Sequence, residues 1–230
     1  MKITYYGHST FSIELAGAIV LFDPFISANP LAQAKGIQAA SLKADHILIS
    51  HAHGDHTGDL VAIAKRTGAK CVSNFEICNW LNAAGISNTV AMNHGGAVTL
   101  PFGEVKYVNA IHSSSFPDGT YGGNPGGFVV RGRETSFYYS GDTALTSDMK
   151  LIGEDGPVDF AILCMGDVFT MGARDAVKAA QCVGARKVMG VHYDTFPPIR
   201  IDHEKARKTF ADSGLALLLV PVGESISVGK

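Results

Sequence analysis

His46-Ile47-Leu48-Ile49-Ser50-His51-Ala52-His53-Gly54-Asp55-His56 is the stretch on which the reading of this chain turns. Its first half is an apolar run of strand length, which reads as a buried strand. Its second half sets three imidazoles and a carboxylate within six positions, directly after that strand. Side chains leaving the C-terminal end of a strand can fan into a common cleft. Imidazole and carboxylate donors suit zinc, manganese, iron and nickel without any thiolate. Gly54 is expected to give the backbone the freedom to turn neighbouring ligands towards one point. A lone histidine is usually a satisfied core or surface residue; four donors packed together are a candidate metal site.

One such motif cannot fill two coordination shells, so partners are expected further along. Three candidates each sit where a strand gives out. His112 follows a strand read over residues 105–111, Asp142 follows Tyr138-Tyr139-Ser140-Gly141, and His192 follows a strand read over residues 187–191. A site on one rim of a sheet sandwich needs that repeated strand-end placement. His46, His94 and His203 have no supporting pattern and are read as solvated or satisfied residues.

Around these landmarks the pattern alternates between strands and helices. Residues 3–6, 10–15 and 18–22 read as three antiparallel strands broken at Gly7 and Gly17. Residues 25–42 read as irregular or helical, and 51–58 as a loop. A helix is expected over 59–67, stopped by Gly68, and a strand over 70–73. Further strands are expected at 98–100, 105–111, 127–131 and 136–140. The chain closes with a strand at 160–164, a helix at 173–183, a strand at 187–191, a helix at 202–213 and a strand at 217–220. Two sheets facing each other with helices outside would use these elements well.

The chain has 230 residues, 46% of them hydrophobic and 17% charged, with a net charge of −2. That balance describes a globular protein and excludes a disordered one. It carries no lysine- or arginine-rich run, so a nucleic-acid or anionic-membrane partner is not expected. No stretch has the length of a membrane span and the N-terminus has no apolar signal segment, so the expected location is cytoplasmic. Cys71, Cys78, Cys164 and Cys182 are scattered outside any CxxC pair and are expected to be reduced.

The motif His51-x-His53-x-Asp55-His56, followed by His112, Ser140-Gly141-Asp142-Thr143 and His192, resembles the metallo-β-lactamase superfamily over essentially the whole chain. Gly7-His8-Ser9 and Gly166-Asp167-x-Phe169-Thr170-Met171-Gly172 look like its small stand-alone hydrolases related to L-ascorbate-6-phosphate lactonase. The resemblance implies a single domain over residues 1–230, of mixed α/β and α+β class, built as a four-layer αββα sandwich. It implies that His51, His53 and His112 hold one divalent metal ion and that Asp55, His56 and His192 hold a second, with Asp142 bridging. Zinc is the expected metal, with Mn2+, Fe2+ or Ni2+ as alternatives.

The activity implied is hydrolysis of an ester, lactone or phosphoester of a small molecule, with Asp55 moving a proton. His8 and Asp23 are expected to orient ligands from behind, and Asp167 and Thr170 to line the pocket, with Thr170 alternatively capping the helix that follows. A mononuclear iron dioxygenase on the same fold is the competing reading. Diiron oxygen reductases of the superfamily carry Glu where His53 stands, which counts against them. A non-catalytic binding protein would have lost a ligand, and none is lost here. The loops 113–127 and 195–198 flank candidate ligands and are expected to shape substrate choice. Whether the chain forms a homo-oligomer is left open.

Overall fold

The alternation of apolar and polar residues at the N-terminus buries alternate positions of the first strand, and the next two become buried on both faces over most of their length. The computed structural model describes residues 1–133 and 135–229. Strands β1 (Lys2–Gly7), β2 (Thr10–Leu15) and β3 (Ala18–Phe22) form an antiparallel meander. Strands β4 (His46–Leu48), β5 (Lys70–Asn74) and β6 (Thr89–Met92) then add in parallel to β3. A second sheet begins with antiparallel β7 (Ala97–Leu100), β8 (Gly103–Asn109), β9 (Gly126–Arg131) and β10 (Ser136–Tyr139). It continues in parallel through β11 (Phe160–Cys164), β12 (Lys187–Val191) and β13 (Ala216–Leu218). The last strand, β14 (Ser225–Ser227), crosses back to pair with β1, so each sheet has seven strands.

The described residues form seven α-helices: α1 (Pro30–Ala34), α2 (Gly54–Thr57), α3 (Leu60–Thr67), α4 (Phe75–Ala83), α5 (Met149–Glu154), α6 (Ala173–Val183) and α7 (His203–Ala211). Leu60, Ile63 and Ala64 of α3 and Ile77 and Leu81 of α4 pack on Ile47 and Cys71 of the first sheet. The buried faces of α5, α6 and α7 cover the second sheet in the same way, through Ile152, Ala176, Ala180 and Phe210. Between the sheets lies an apolar layer contributed by both. The result is the αββα sandwich.

Strand direction follows from the pairings and decides where the loops collect. Because β1–β2–β3 alternate, β1 runs with β3 and hence with β4. Likewise β8 runs with β10, and β10 with β11 and β12. The residues after β1, β3 and β4 therefore share one rim, and those after β8, β10 and β12 share another.

Several local expectations are corrected. Residues 51–58 are not all loop, because the short helix α2 turns Asp55 and His56 inward. Gly54 opens that helix without a positive φ; what it supplies is room, since a Cβ there would stand 3.2 Å from the ring of Pro117. The strand expected to reach Ile111 ends at Asn109. Helices α4 and α5 and strands β6 and β14 were not legible in the pattern. Strand β14 has only three residues, and its pairing with β1 makes it a strand. Helix α4 mixes aromatic, cysteine and asparagine residues of weak helix propensity, so its cap at Asn74 and its packing make the helix.

Phe22 joins the two sheets. It stacks on Phe11 at 4.5 Å between ring centroids and meets Phe137 and Tyr139 of the second sheet edge-on at 6.1 and 5.5 Å. Replacing Phe22 by Ala would leave a cavity between the layers and is expected to cost about 3–5 kcal/mol. Denaturant unfolding of the variant checks this, and a loss under about 1 kcal/mol would show that the layers repack freely.

Candidate metal centre

The residues singled out from the sequence converge at the C-terminal rim shared by the two sheets. His51 and His53 leave the end of β4 in extended chain, so two alternate side chains point to one side. Helix α2 then turns Asp55 and His56 towards a neighbouring point. His112 follows β8, Asp142 follows β10 and His192 follows β12. His51, His53 and His112 offer donor atoms within 4.8 Å of one another, and so do Asp55, His56 and His192 together with His8.

Asp142 stands between these two groups. Its Oδ2 lies 2.8 Å from His192 Nε2 and 3.3 Å from His56 Nε2, and also 3.7 Å from His112 Nε2 and 3.9 Å from His51 Nε2. Gly141 makes this approach feasible. It has φ +57°, and a Cβ there would meet Gly126 O at 2.5 Å and Ser50 Cβ at 2.8 Å.

The outer nitrogens of the imidazoles are held in place, and the inner ones face the centre. Asp23 takes four donors: Ser50 N–H at 2.7 Å on Oδ1, and Ser50 Oγ at 2.5 Å, Tyr139 OH at 2.6 Å and His56 Nδ1 at 2.7 Å on Oδ2. With its hydrogen given to Asp23, Ser50 Oγ accepts from His51 Nδ1 at 3.0 Å. Ser113 Oγ sits 3.2 Å from His53 Nε2. His51 Nε2 and His53 Nδ1 face inward 2.9 Å apart, and His56 Nε2 faces inward beside Asp142, so each is placed to ligate a metal ion once it gives up any hydrogen it carries.

Buried polar atoms left without a partner test whether a metal fits. Among the described residues, His56 Nε2 and Asp142 Oδ1 are buried and make no hydrogen bond, as is His192 Nδ1. A buried unsatisfied group costs about 1–3 kcal/mol. A cation between the two groups would satisfy His56 Nε2 and the Asp142 carboxylate, so the donor set fits divalent ions.

Titration behaviour agrees with that fit. Burial pushes His51 well below its ordinary value and lowers His53 and His112, so all three rings stay neutral. Burial works against charge on His56 too, but Asp142 and Asp23 outweigh it and draw that ring strongly towards the cationic form. Burial likewise opposes the Asp142 carboxylate, yet His192 and His56 hold it well below the usual carboxylate range. The centre between them attracts positive charge.

His8 and Asp23 lie against the cluster, each close enough to its histidines to offer a further donor atom. His8 Nε2 lies 3.0 Å from Asp55 Oδ2, and burial pushes the ring down to about 4. Burial alone would raise Asp55; the His8 hydrogen bond and the nearby rings of His56 and His8 more than offset it and hold the carboxyl below its usual range. His8, Asp23 and His192 all have positive φ, at +57°, +40° and +58°. Such backbone costs of order 1–3 kcal/mol per residue and persists where the surroundings over-determine it.

Asp167 and Thr170 fall differently. Asp167 is exposed, and the turn over residues 167–170 hangs from Thr143 through the bond from Met171 N–H to Thr143 O at 3.1 Å. Neither residue makes a hydrogen bond or ion pair to the histidine cluster among the described residues. Thr170 does not cap α6 either; that cap is Gly172, without a side-chain bond. Of the bland histidines, His94 bonds Pro125 O and His203 bonds Asp194, away from the cluster. Ser50, Tyr139 and Thr195 were missed. Ser50 had a signal in its adjacency to His51, whereas Tyr139 had none, because it reaches Asp23 across 116 positions.

A family model described as a beta-lactamase superfamily domain matches residues 19–193. A protein of Flavobacterium johnsoniae named a metal-dependent hydrolase is 53% identical over 228 residues, covering 99% of this chain and 100% of the relative. One of Methylacidiphilum infernorum with the same name is 51% identical, covering 98% and 99%. Among solved structures, a metallo hydrolase of the hyperthermophilic archaeon Ignicoccus hospitalis matches with TM-score 0.88 at 34% identity, covering 98% of this chain and 97% of that one. A diiron β-hydroxylase from Streptomyces venezuelae shares the fold at 17% identity and TM-score 0.75, with 99% of this chain covering 54% of that one.

Asp23 is expected to matter for metal affinity through the rings it holds. Asp23→Asn removes the charge that orients His56 and, through Ser50, His51. Its metal affinity should fall about 10–100-fold in chelator competition. Unchanged affinity would show that the rings are oriented without it.

Proposed function

The chain belongs to the β-lactamase superfamily and is a metal-dependent hydrolase, and from that premise we propose that it cleaves an ester, lactone or phosphoester of a small molecule at a dinuclear centre. His51, His53 and His112 would hold one ion, Asp55, His56 and His192 the other, and Asp142 both. The observation that carries this reading is Asp142: one carboxylate oxygen within 2.8–3.9 Å of imidazoles from both groups, its other oxygen buried and unpartnered. When bound, two divalent ions lower the pKa of a coordinated water and stabilise negative charge developing on the scissile group. Imidazole and carboxylate donors suit zinc, and also manganese, iron(II) and nickel.

The chain's own residues supply the rest. Of the three carboxylates in the cluster, only Asp55 meets solvent: its side chain is 30% exposed, against 2% for Asp142 and none for Asp23. Asp55 is therefore the carboxylate that can exchange a proton with a substrate. It takes the proton shed by the attacking water and delivers it to the leaving oxygen. His8 keeps that carboxylate aimed, and Asp23 keeps the rings in their ligating orientation. Both ligand groups are complete, which favours two ions over the mononuclear iron of a dioxygenase.

No helix among the described residues is long and apolar enough to cross a membrane. A net charge of −2 supports a small-molecule substrate rather than a polyanion, and a cytoplasmic setting fits four free cysteines.

Elemental analysis of the purified protein, paired with lactone, phosphodiester and ester substrates before and after chelation, tests the reading. About two equivalents of divalent metal and chelator-sensitive turnover are expected. One equivalent of iron with oxygen consumption and no hydrolysis would overturn it. Asp55→Ala should lower kcat at least about 100-fold with the fold intact by circular dichroism, and near-normal turnover would remove Asp55 from its role.

A further inference from the structure

The ring of His8 is enclosed between the second ligand group and the segment that follows β12. It lies tilted against His192 at 4.1 Å between centroids and makes edge contacts with Phe25 and Phe196 at 5.7 and 5.6 Å. Both ring nitrogens nevertheless have a polar partner. Nε2 lies 3.0 Å from Asp55 Oδ2, and Nδ1 lies 2.9 Å from Thr195 Oγ1. We propose that Thr195 and His8 are a positioning pair for Asp55, in which the Thr195 hydroxyl selects the imidazole tautomer and the ring then holds the carboxylate. This deepens the hydrolase reading and rests on it for the role of Asp55; the hydrogen-bond direction does not depend on it.

The direction follows from which atoms can donate. An ionised carboxylate only accepts, so the hydrogen in the bond to Asp55 sits on His8 Nε2. A neutral imidazole carries one hydrogen, which leaves Nδ1 bare. The atom facing Nδ1 is the Thr195 hydroxyl, so Thr195 is the donor. That hydroxyl has one competing acceptor, Tyr193 O at 3.3 Å, and the bond to the ring is the shorter. The order is Thr195 O–H to His8 Nδ1, then His8 Nε2–H to Asp55 Oδ2.

The backbone fixes the ring as firmly as its neighbours do. His8 O accepts from His192 N–H at 2.8 Å and from Tyr5 OH at 2.9 Å, and the residue is held at φ +57°. A histidine that only filled space would need neither a strained backbone nor two paired nitrogens. Asp55 is the opposite case: partly exposed, on a helix of four residues, with the next polar neighbour, His192 Nε2, 4.0 Å away. Among the described residues, the N–H of His8 is the hydrogen bond that aims this carboxylate. A misplacement of about 1 Å can cost about 100-fold in rate.

Thr195→Val keeps the shape of the side chain and removes the hydroxyl, while Thr195→Ser keeps the donor. Two readouts separate positioning from packing. Imidazole 1H–15N correlation spectra of the full-length protein, metal-free and zinc-loaded, should show His8 with its hydrogen on Nε2 in the parent and in Thr195→Ser. In Thr195→Val that pattern should be lost or mixed. In the loaded enzyme, Thr195→Val should lower kcat about 10–100-fold with KM changed less than about twofold, and Thr195→Ser should recover most of the rate.

A hydrogen on Nδ1 in the parent protein, or an unchanged tautomer in Thr195→Val, would overturn the pair. So would equal losses in the Val and Ser variants, which would mean packing alone. Should Thr195→Val not fold, Thr195→Ala against Thr195→Ser gives the same comparison. If the tautomer responds as expected while Asp55→Ala remains active, the role assigned to Asp55 fails and the hydrogen-bond direction stands.

Discussion

Asp23 sits at the end of β3 with no solvent contact, and four donors converge on it from three parts of the chain. An isolated carboxylate in such a place would be very costly; a fully hydrogen-bonded one is held where it is, because every partner would lose a charge-assisted bond by moving. Of the partners, Ser50 precedes the histidine motif, His56 closes it, and Tyr139 comes from the opposite sheet. The bonds to Asp23 therefore set the spacing of the sheets at the rim and the rotation of the rings there at the same time. Loss of this anchor would free His51 and His56 together, since Ser50 hands the constraint from one to the other.

The second condition for the site is strand direction. Ligand-bearing segments come from the ends of β4, β8, β10 and β12, with His8 after β1 and Asp23 after β3. They meet because the pairing order of each sheet makes those strands run the same way. Three of the residues gathered at these strand ends, His8, Asp23 and His192, take positive φ. The aromatic layer around Phe11, Phe22, Phe137 and Tyr139 supplies the rigidity that keeps those conformations in place.

Charge and burial act on the cluster in opposite senses. Burial keeps most of the imidazoles neutral, the state in which they bind metal, while the carboxylates of Asp23 and Asp142 create a demand for positive charge at the centre. A divalent ion meets that demand without protonating a ligand. Asp55 differs because it is open to solvent and tied to His8 on one side only. That combination separates one partly exposed carboxylate from two buried ones.

The sequence by itself determined the histidine motif, its strand-end partners and the αββα arrangement. The reason is that apolar periodicity and ligand spacing are local properties that survive in a linear reading. It also indicated His8 and Asp23, though without their partners. Tertiary structure alone decided that Tyr139 reaches Asp23, that Thr195 reaches His8 across 187 positions, that β14 pairs with β1 in the first sheet, and that Asp167 and Thr170 make no hydrogen bond to the cluster among the described residues. It also decided that residues 54–57 coil into a helix that presents Asp55 and His56 as adjacent donors. Such contacts depend on which strands become neighbours and on the space left between them, and a single sequence carries no local signal for either.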